Sequence, residues 1–124
     1  MPNIFEEGGE TLASKFQFIT ELYSRTLTKL TGDYESWTGF LRSACYNYKC
    51  PFDEQVLIYA QRPNATACAD MATWNGTMRR WVNYGSTAIA LIRKGYGGKP
   101  YLDYVHEVAD THPLRGGKTP WLWR

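Results

Sequence analysis

The segment Asp53-Glu54-Gln55-Val56-Leu57-Ile58-Tyr59-Ala60-Gln61 has a centre, residues 56–60, that is apolar on nearly every side of a helix. A helix that is apolar all round has no face suited to water, so its place is inside the protein. Arg62-Pro63 follows the segment, and proline cannot continue a helix because it lacks the backbone N–H. We therefore predict a short helix over residues 53–61 whose centre is buried.

Two longer helices are predicted ahead of this segment. The first, over residues 12–30, has apolar residues at spacings of three and four and Gly32 at the C-cap position. The second is capped by Asp33 or Ser36 and ends before Pro51, because the residue ahead of a proline avoids the helical region. Its predicted apolar face consists of Trp37, Phe40, Leu41, Ala44 and Tyr48.

The region after Pro63 is predicted to mix extended and helical structure. Residues 65–68 are small and suit an extended piece, and Asp70 suits the N-cap of a fourth helix over residues 71–81. Gly76 weighs against that helix, because glycine is a poor helix former.

A β-hairpin is predicted further along the chain. Residues 87–93 and 101–108 are rich in β-branched, aliphatic and aromatic side chains, and the glycine-rich residues 94–100 separate them. The glycines could cradle a phosphate, but they match no phosphate-binding fingerprint and join two strands, so we interpret them as the hairpin loop. Helices first and strands later indicate an α+β fold, with N-terminal helices followed by a small antiparallel sheet that has a C-terminal hairpin.

Charge is distributed unevenly along the chain. The net charge is only +2, yet residues 71–102 contain five Lys or Arg, several Trp and Tyr, and no Asp or Glu. Cations attract phosphates through counterion release, and exposed rings stack on unpaired bases, so the leading hypothesis is single-stranded nucleic-acid binding. The alternative is a solvated basic face over a core of buried aromatic residues.

Candidate binding residues lie at the ends of the second and third helices and in the basic stretch. They are Tyr46, Tyr48, Lys49, Gln61, Arg62, Arg79, Arg80, Tyr84, Arg93 and Lys94. Tyr46 and Tyr48 could stack on bases while Lys49 meets a phosphate, or they could be a surface ring and a core ring. Gln61 and Arg62 have heads suited to base edges or phosphates, or they could simply end the third helix.

The basic stretch has a second interpretation as well. Arg79 and Arg80 fall in the last turn of the predicted fourth helix, where cations favour the helix dipole without any ligand. Adjacent helical side chains point about 100° apart, so one of them could cover the core while the other faces a phosphate. Arg93 and Lys94 join the same patch only if the first strand of the hairpin packs beside that helix.

No catalytic, metal or cofactor site is predicted. His106-Glu107 begins like a zinc-protease motif, but Asp110 stands where the second histidine is required. No nucleophile has a convincing base nearby, so we predict a protein that is not an enzyme and uses no cofactor. The three scattered cysteines fit reduced thiols. With no signal peptide and no apolar run of membrane-spanning length, we predict a cytoplasmic protein without a membrane partner.

Several motifs follow one another from residue 37 onward. They are Trp37 with Phe40-Leu41, Tyr48-Lys49-Cys50-Pro51-Phe52, Gln55-Val56-Leu57-Ile58-Tyr59-Ala60-Gln61-Arg62-Pro63, Ala65-Thr66-Ala67, Trp74-Asn75, Arg80-Trp81-Val82, Gly85 and Ile89-Ala90-Leu91-Ile92. Over residues 37–112 this order resembles the N-terminal domain of ArdC-type antirestriction proteins, in particular its LtrC-like form from conjugative elements of Gram-positive bacteria.

The resemblance implies a non-enzymatic module of a mobile genetic element that binds single-stranded DNA and handles or protects the transferred strand. We expect one domain over residues 1–124, with a helix in 1–32, an ArdC N-terminal-like core over 33–112 and an irregular tail over 113–124. LtrC-like domains open large helicase or methylase-like proteins, so the chain is expected either to stand alone or to be the front of such a polypeptide. The alternative function is a protein-interaction module that inhibits a host defence enzyme or docks a conjugation partner.

Overall fold

The predicted α+β fold is confirmed by a computed structural model, which describes residues 11–118. Three helices come first: α1 (Leu12–Gly32), α2 (Tyr34–Tyr46) and α3 (Phe52–Gln61). Five strands follow: β1 (Cys68–Ala69), β2 (Arg80–Val82), β3 (Ile89–Lys94), β4 (Pro100–Glu107) and β5 (Thr111–Pro113). A three-stranded antiparallel sheet has the order β1-β4-β3, and β2 pairs with β5 in a separate two-stranded ribbon.

The first two helices begin at side-chain caps. The Thr11 hydroxyl accepts a hydrogen bond from the backbone N–H of Ser14 at 3.0 Å, which starts α1. Of the two caps predicted for α2, Asp33 is the one used, because its carboxylate accepts from the N–H groups of Glu35 and Ser36. Both helices were therefore predicted correctly, to within a few residues at their ends.

The centre of the short helix α3 is buried as predicted from Val56 to Ile58, and partly buried at Tyr59 and Ala60. Val56, Leu57 and Ile58 are at most 1% exposed, and no two of them share one side of the helix. Leu57 and Ile58 pack in a core with Ile19 of α1 and Leu91 of β3, and Val56 packs with side chains of α1 and α2. The helix is thus covered by α1, α2 and β3 together.

Gln61 joins the end of α3 to the hairpin sheet. Its side-chain oxygen accepts from the N–H of Ala90 at 2.9 Å, and its side-chain nitrogen donates to the Ala90 carbonyl at 2.8 Å. The same nitrogen also donates to the Leu57 carbonyl, at 3.0 Å. The amide therefore satisfies both backbone polar groups of Ala90 in β3, as a neighbouring strand would.

The predicted hairpin is confirmed by β3 and β4, which pair in antiparallel register from Ile89 with Val105 to Lys94 with Pro100. The glycine-rich segment closes the hairpin with a short 3-10 turn over Tyr96–Gly98. Gly97 and Gly98 have φ values of 72° and 78°, which glycine adopts without steric cost. The segment is therefore the hairpin loop that the sequence predicted.

The predicted fourth helix over residues 71–81 begins where predicted but is too long, because helical structure covers residues 71–77 only. Asp70 does cap a helical turn, because its carboxylate accepts from the Thr73 N–H at 2.8 Å. Met71 and Ala72 are helical and lead into the π-turn Thr73–Thr77, after which Arg79 takes a left-handed backbone conformation with φ 50°. Met78 and Arg80 are both buried, but they would point about 200° apart on one helix. A turn into strand β2 allows both side chains to face inward.

Two further expectations need correction. The tail predicted over residues 113–124 is irregular in part only, because Pro113 belongs to β5; residues 119–124 lie outside the described residues, as do residues 1–10 of the predicted N-terminal segment. Trp37, predicted on the buried face of α2, is 38% exposed and contacts Phe40 with a ring-centroid distance of 5.5 Å. Phe40 itself fills the core at that point and leaves Trp37 at its edge.

We predict that Gln61→Ala lowers the free energy of unfolding by about 1–3 kcal/mol, because the polar groups of Ala90 lose their partner in a mostly buried place. Urea unfolding followed by circular dichroism measures the change. Gln17→Ala is the matched control on the exposed side of α1 and should change stability by less than about 0.5 kcal/mol. Equal effects of the two variants would contradict the role given to Gln61.

Candidate nucleic-acid interface

Two adjacent cavities lie along the second half of α2, and Tyr46 lines both of them. The first has a volume of about 400 Å³ and separates α2 from residues 63–66. The second, of about 220 Å³, lies between the end of α2 and residues 68–73. We call the two cavities together the α2 groove; its lining includes Arg42, Tyr46, Lys49, Tyr59, Asn64 and Thr66.

Asn47 holds the walls of the α2 groove together. It is 3% exposed, and its side-chain nitrogen donates to the carbonyls of Ser43, at 3.1 Å, and Ala65, at 3.2 Å. Its own carbonyl accepts from the Gln55 side chain at 2.9 Å. The end of α2 is therefore tied to the opposite wall and to α3, which sets the width of the groove.

The walls of the groove combine aromatic rings with cations. Tyr46 is 39% exposed, and Tyr59 faces the first cavity from α3. Arg42 and Lys49 are exposed, and the residues that line the groove, all within the described part of the chain, include no Asp or Glu. Lys49 also lies over the Tyr48 ring, with Nζ 5.9 Å from the centroid. The groove therefore offers stacking surfaces and positive charge to one ligand.

Gly39 allows Tyr59 to approach α2 closely. A Cβ atom at Gly39 would lie 2.8 Å from the Tyr59 hydroxyl oxygen, which is closer than nonbonded atoms pack. The Tyr59 ring also meets Phe40 edge-on, with a centroid distance of 5.9 Å. The glycine thus keeps room for one of the two rings of the first cavity.

The structure places the ten sequence-predicted site residues in different surroundings. Tyr46 and Lys49 line the α2 groove, and Tyr48 lies between them in the chain. Arg79, Tyr84 and Lys94 are exposed elsewhere on the surface. The other four form contacts inside the protein: Gln61, Arg62, Arg80 and Arg93.

Arg62 and Arg93 are engaged by carboxylates. Arg62 forms a bidentate salt bridge with Asp110, with N–O distances of 2.7 and 3.2 Å. Arg93 contacts Glu54 at 3.2 Å and Asp103 at 2.7 Å, and its strand β3 belongs to a different sheet from β2. Their charges are largely neutralised within the protein, so neither arginine is a strong candidate for binding phosphate.

Arg80 is 8% exposed and fixes the two-stranded ribbon. Its Nε donates to the Thr111 hydroxyl at 2.8 Å, and its terminal nitrogens donate to the carbonyls of Lys118 and Thr111 at 3.2 and 3.3 Å. All three acceptors are neutral. The guanidinium therefore holds β2 to β5 and the segment after it while keeping its positive charge.

Sequence reasoning missed Arg42, Tyr59, Asn64 and Thr66 as parts of the groove. One signal was present, because Arg42, Tyr46 and Lys49 follow the spacing i, i+4, i+7 that places residues along one side of a helix. No sequence signal indicated the opposite wall, because it is a loop whose position depends on α3 and on the hydrogen bond from Asn47. Thr66 is moreover engaged, because its N–H and hydroxyl both donate to the Glu107 carboxylate.

Below the second cavity lies a small group of titratable residues. Burial raises the pKa of the Cys68 thiol to about 12, with the neighbouring Glu107 carboxylate adding to the shift. Burial also raises the pKa of Cys50, so both thiols that line this cavity stay protonated near neutral pH. Cys45, Cys50 and Cys68 are all free cysteines. The two thiols therefore add no negative charge to the second cavity.

Comparisons of the chain with protein-family models, with curated proteins and with solved structures found no significant match. Within residues 11–118, no helix combines the length and apolar character needed to cross a membrane. The same residues contain no group of three or more His, Cys, Asp or Glu side chains placed to hold a metal ion. The groove itself is therefore the basis for a functional proposal.

We predict that the Arg62–Asp110 pair makes stability depend on pH in the acid range. Hydrogen bonding to Arg62 holds the pKa of Asp110 below its usual value. A carboxyl whose folded pKa is lowered stabilises the protein above its unfolded pKa of about 3.9, and this contribution is lost as pH falls through the folded pKa. Asp110→Asn should therefore be less stable than the wild type at about pH 7, and the gap should shrink below about pH 4.

Urea unfolding at a series of pH values measures this gap. Glu21→Gln, which removes an exposed carboxylate from α1, is the matched control and should differ little from the wild type throughout. An Asp110→Asn gap that stays constant from neutral to acid pH would show that the variant acts through packing rather than through charge.

We also predict that the adjacent arginines 79 and 80 differ sharply in their effect on stability. Arg80→Ala should lower the free energy of unfolding by about 1–3 kcal/mol, because it removes two buried hydrogen bonds and one partly buried bond between β2 and its neighbours. Arg79→Ala should change it by less than about 0.5 kcal/mol, since that side chain is exposed. Thermal or urea unfolding of the two variants decides the matter, and similar values would contradict the assignment of Arg80 to the interior.

Proposed function

We propose that the protein is a non-enzymatic module that binds single-stranded DNA in the α2 groove. The observation that carries the proposal is the position of Tyr46, whose half-exposed ring lines both cavities. Each cavity is lined by a cation, and among residues 11–118 no Asp or Glu lines either of them. Single-stranded nucleic acids need both a positive path for the backbone and flat rings for the bases. The groove supplies the positive charge and the ring along the last turn of α2 and the residues just after it.

A base would stack on Tyr46 in the first cavity, which the Tyr59 ring also lines. At about 400 Å³ this cavity falls within the size range of sites that enclose small ligands. Arg42 lines the first cavity and Lys49 the second, while Tyr46 lines both, so the two cations flank the stacked base. They would contact successive phosphates of the same strand.

Sequence preference should be weak in this arrangement. Of the two polar side chains from the loop wall, Thr66 is engaged by Glu107, and only Asn64 can offer its amide to a base edge. Stacking tolerates every base because each has a π-face. The groove therefore favours a protein that covers a strand regardless of its sequence.

The wider biological setting belongs to the same proposal. A general strand binder suits the resemblance of residues 37–112 to the ArdC-type domain, and we propose that the module handles or protects the transferred strand of a mobile genetic element. On this proposal it acts in the cytoplasm, by itself or at the front of a larger helicase or methylase-like polypeptide. Its role is to bind the strand, not to catalyse a reaction on it.

We predict that Tyr46→Ala weakens binding to a single-stranded oligonucleotide about tenfold, because one stacked base contributes about 1–3 kcal/mol. The plot of log affinity against log salt for the wild type should have a slope of about −2 to −4, from roughly three to five neutralised phosphates. Fluorescence anisotropy with a labelled oligonucleotide at several salt concentrations measures both quantities. Duplex DNA of the same length should bind more weakly and should not respond to the Tyr46 substitution.

The matched control for Tyr46→Ala is Tyr34→Ala, which removes a ring that is 82% exposed at the other end of α2. Arg42→Glu should weaken binding more than Arg25→Glu, since Arg25 is an exposed cation on α1 outside the groove lining. Wild-type protein that fails to bind single strands at low salt would refute the proposed function. Binding that is equal for single and double strands and unaffected by Tyr46→Ala would refute the groove as its site.

A second candidate function, protein interaction, is favoured by one different observation. Tyr34, Trp37, Leu41 and Phe52 are all more than a third exposed, and Trp37 and Phe52 both contact the Phe40 ring. Such a cluster suits docking onto another protein, either a host defence enzyme or a conjugation partner. Apolar docking would respond weakly to salt, so the same titrations distinguish this function from DNA binding.

A further inference from the structure

The ribbon of β2 and β5 carries an aromatic residue on its outer side, away from the α2 groove lining. Arg80 and Val82 of β2 face inward, and Trp81 between them is 52% exposed. His112 of β5 lies directly opposite Trp81 in the antiparallel register and is exposed as well. The ribbon thus presents an indole beside an imidazole, and both rings are accessible.

The segment after β5 brings two cations, Arg115 and Lys118, next to Arg79 at the start of the same ribbon. The Leu114 N–H donates to the Arg79 carbonyl, and the Lys118 N–H donates to the Met78 carbonyl, both at 2.9 Å. Arg79 in turn donates through Nε to the Arg115 carbonyl at 3.2 Å. These bonds hold Arg79, Arg115 and Lys118, all exposed, next to the start of β2.

Glycine makes this close return of the chain possible. Gly116 has φ 78°, in the left-handed region that glycine favours. A Cβ atom at Gly117 would lie 2.6 Å from the Arg79 carbonyl oxygen and 2.8 Å from that of Leu114. Because both obstacles are backbone atoms, a larger residue could not keep this turn. We call Arg79, Trp81, His112, Arg115 and Lys118 the ribbon face.

The ribbon face is strongly positive. Within residues 11–118, no Asp or Glu side chain forms a salt bridge with Arg79, Arg115 or Lys118. Arg80 beneath the face adds a charge that its neutral acceptors do not cancel. Asp110, the acidic residue just before β5, already forms an ion pair with Arg62. The positive potential of the face therefore extends into solvent toward an anionic ligand.

The second cavity of the α2 groove and the ribbon face are joined by the π-turn. Thr73, the first residue of the π-turn, lines that cavity, and Met78, which follows the turn, accepts the backbone bond from Lys118. A strand that leaves the groove past Thr73 would reach the ribbon face after crossing this single turn. Two contacts on one flexible ligand raise each other's effective concentration.

We propose that the ribbon face is a second contact for single-stranded DNA, in series with the α2 groove, with Trp81 stacking on a base while Arg79, Arg115 and Lys118 contact phosphates. The inference rests on the proposed function, which it extends from one cavity to a longer footprint. An acidic peptide would match the charges of the face, but it has no flat base to place on the indole; an unpaired strand matches both features.

The test measures the affinity of the full chain for labelled oligothymidylates of about 4, 8 and 16 nucleotides, the range of site sizes known for single-strand binding folds. Trp81→Ala should weaken binding of the longest oligonucleotide at least about tenfold and leave the shortest, which fits the groove alone, nearly unchanged. Trp81→Tyr keeps a stacking ring and should stay within about threefold of the wild type. Arg115→Glu should lose more affinity for the longest oligonucleotide than Arg25→Glu, its control of equal charge change on α1.

Melting temperatures of all variants check that they fold. If Trp81→Ala does not fold, Arg115→Glu still tests the ribbon face. The inference is overturned if Trp81→Ala and Arg115→Glu bind every length as the wild type does while Tyr46→Ala binds weakly, a result that leaves the proposed function intact. Wild-type protein that binds no oligonucleotide would refute the proposed function first. Binding of a polyglutamate peptide that these ribbon variants abolish, without any change in DNA affinity, would assign the face to an acidic protein partner and overturn the inference too.

Discussion

The burial of the centre of α3 is the constraint on which the rest of the structure depends. Val56, Leu57 and Ile58 are all at most 1% exposed and point in three directions about 100° apart, so the helix must be covered on more than one side. In this protein α1 and α2 cover it from the helical layer and β3 covers it from the sheet. Gln61 completes the arrangement by hydrogen bonding to Ala90 of β3, so the helix fixes the position of the sheet as well as the core.

The α2 groove is a consequence of that central helix. α3 begins just after the turn that ends α2, and Gln55 of α3 donates to the Asn47 carbonyl. Asn47 then uses its side chain to hold Ala65, in the segment that leaves α3. Two polar side chains thus connect the three pieces of backbone that form the groove, and its width depends on core packing rather than on a mobile loop. A site of this kind is preorganised for its ligand.

The helices and the hairpin could be predicted from the sequence because their signals are local: the spacing of apolar residues in α1, the Asp33 cap and the glycines between β3 and β4. The ribbon could not, because the partner that turns Arg80 inward, Thr111, lies 31 residues away. Of the groove, Tyr46 and Lys49 were found from their types, whereas the loop wall depends on contacts that no local pattern encodes.

The basic stretch illustrates why charge read from a sequence overestimates a binding surface. Arg93 belongs to that stretch, yet Glu54 and Asp103, which lie outside it, neutralise the guanidinium in the folded protein. Arg80 keeps its charge but points inward, and Arg79 next to it points outward. A run without acids along the chain is therefore not a run without acids in space. The positive surface of the folded protein consists of cations whose neighbours from other parts of the chain are neutral. The α2 groove and the ribbon face are two such places, and they lie on either side of one π-turn.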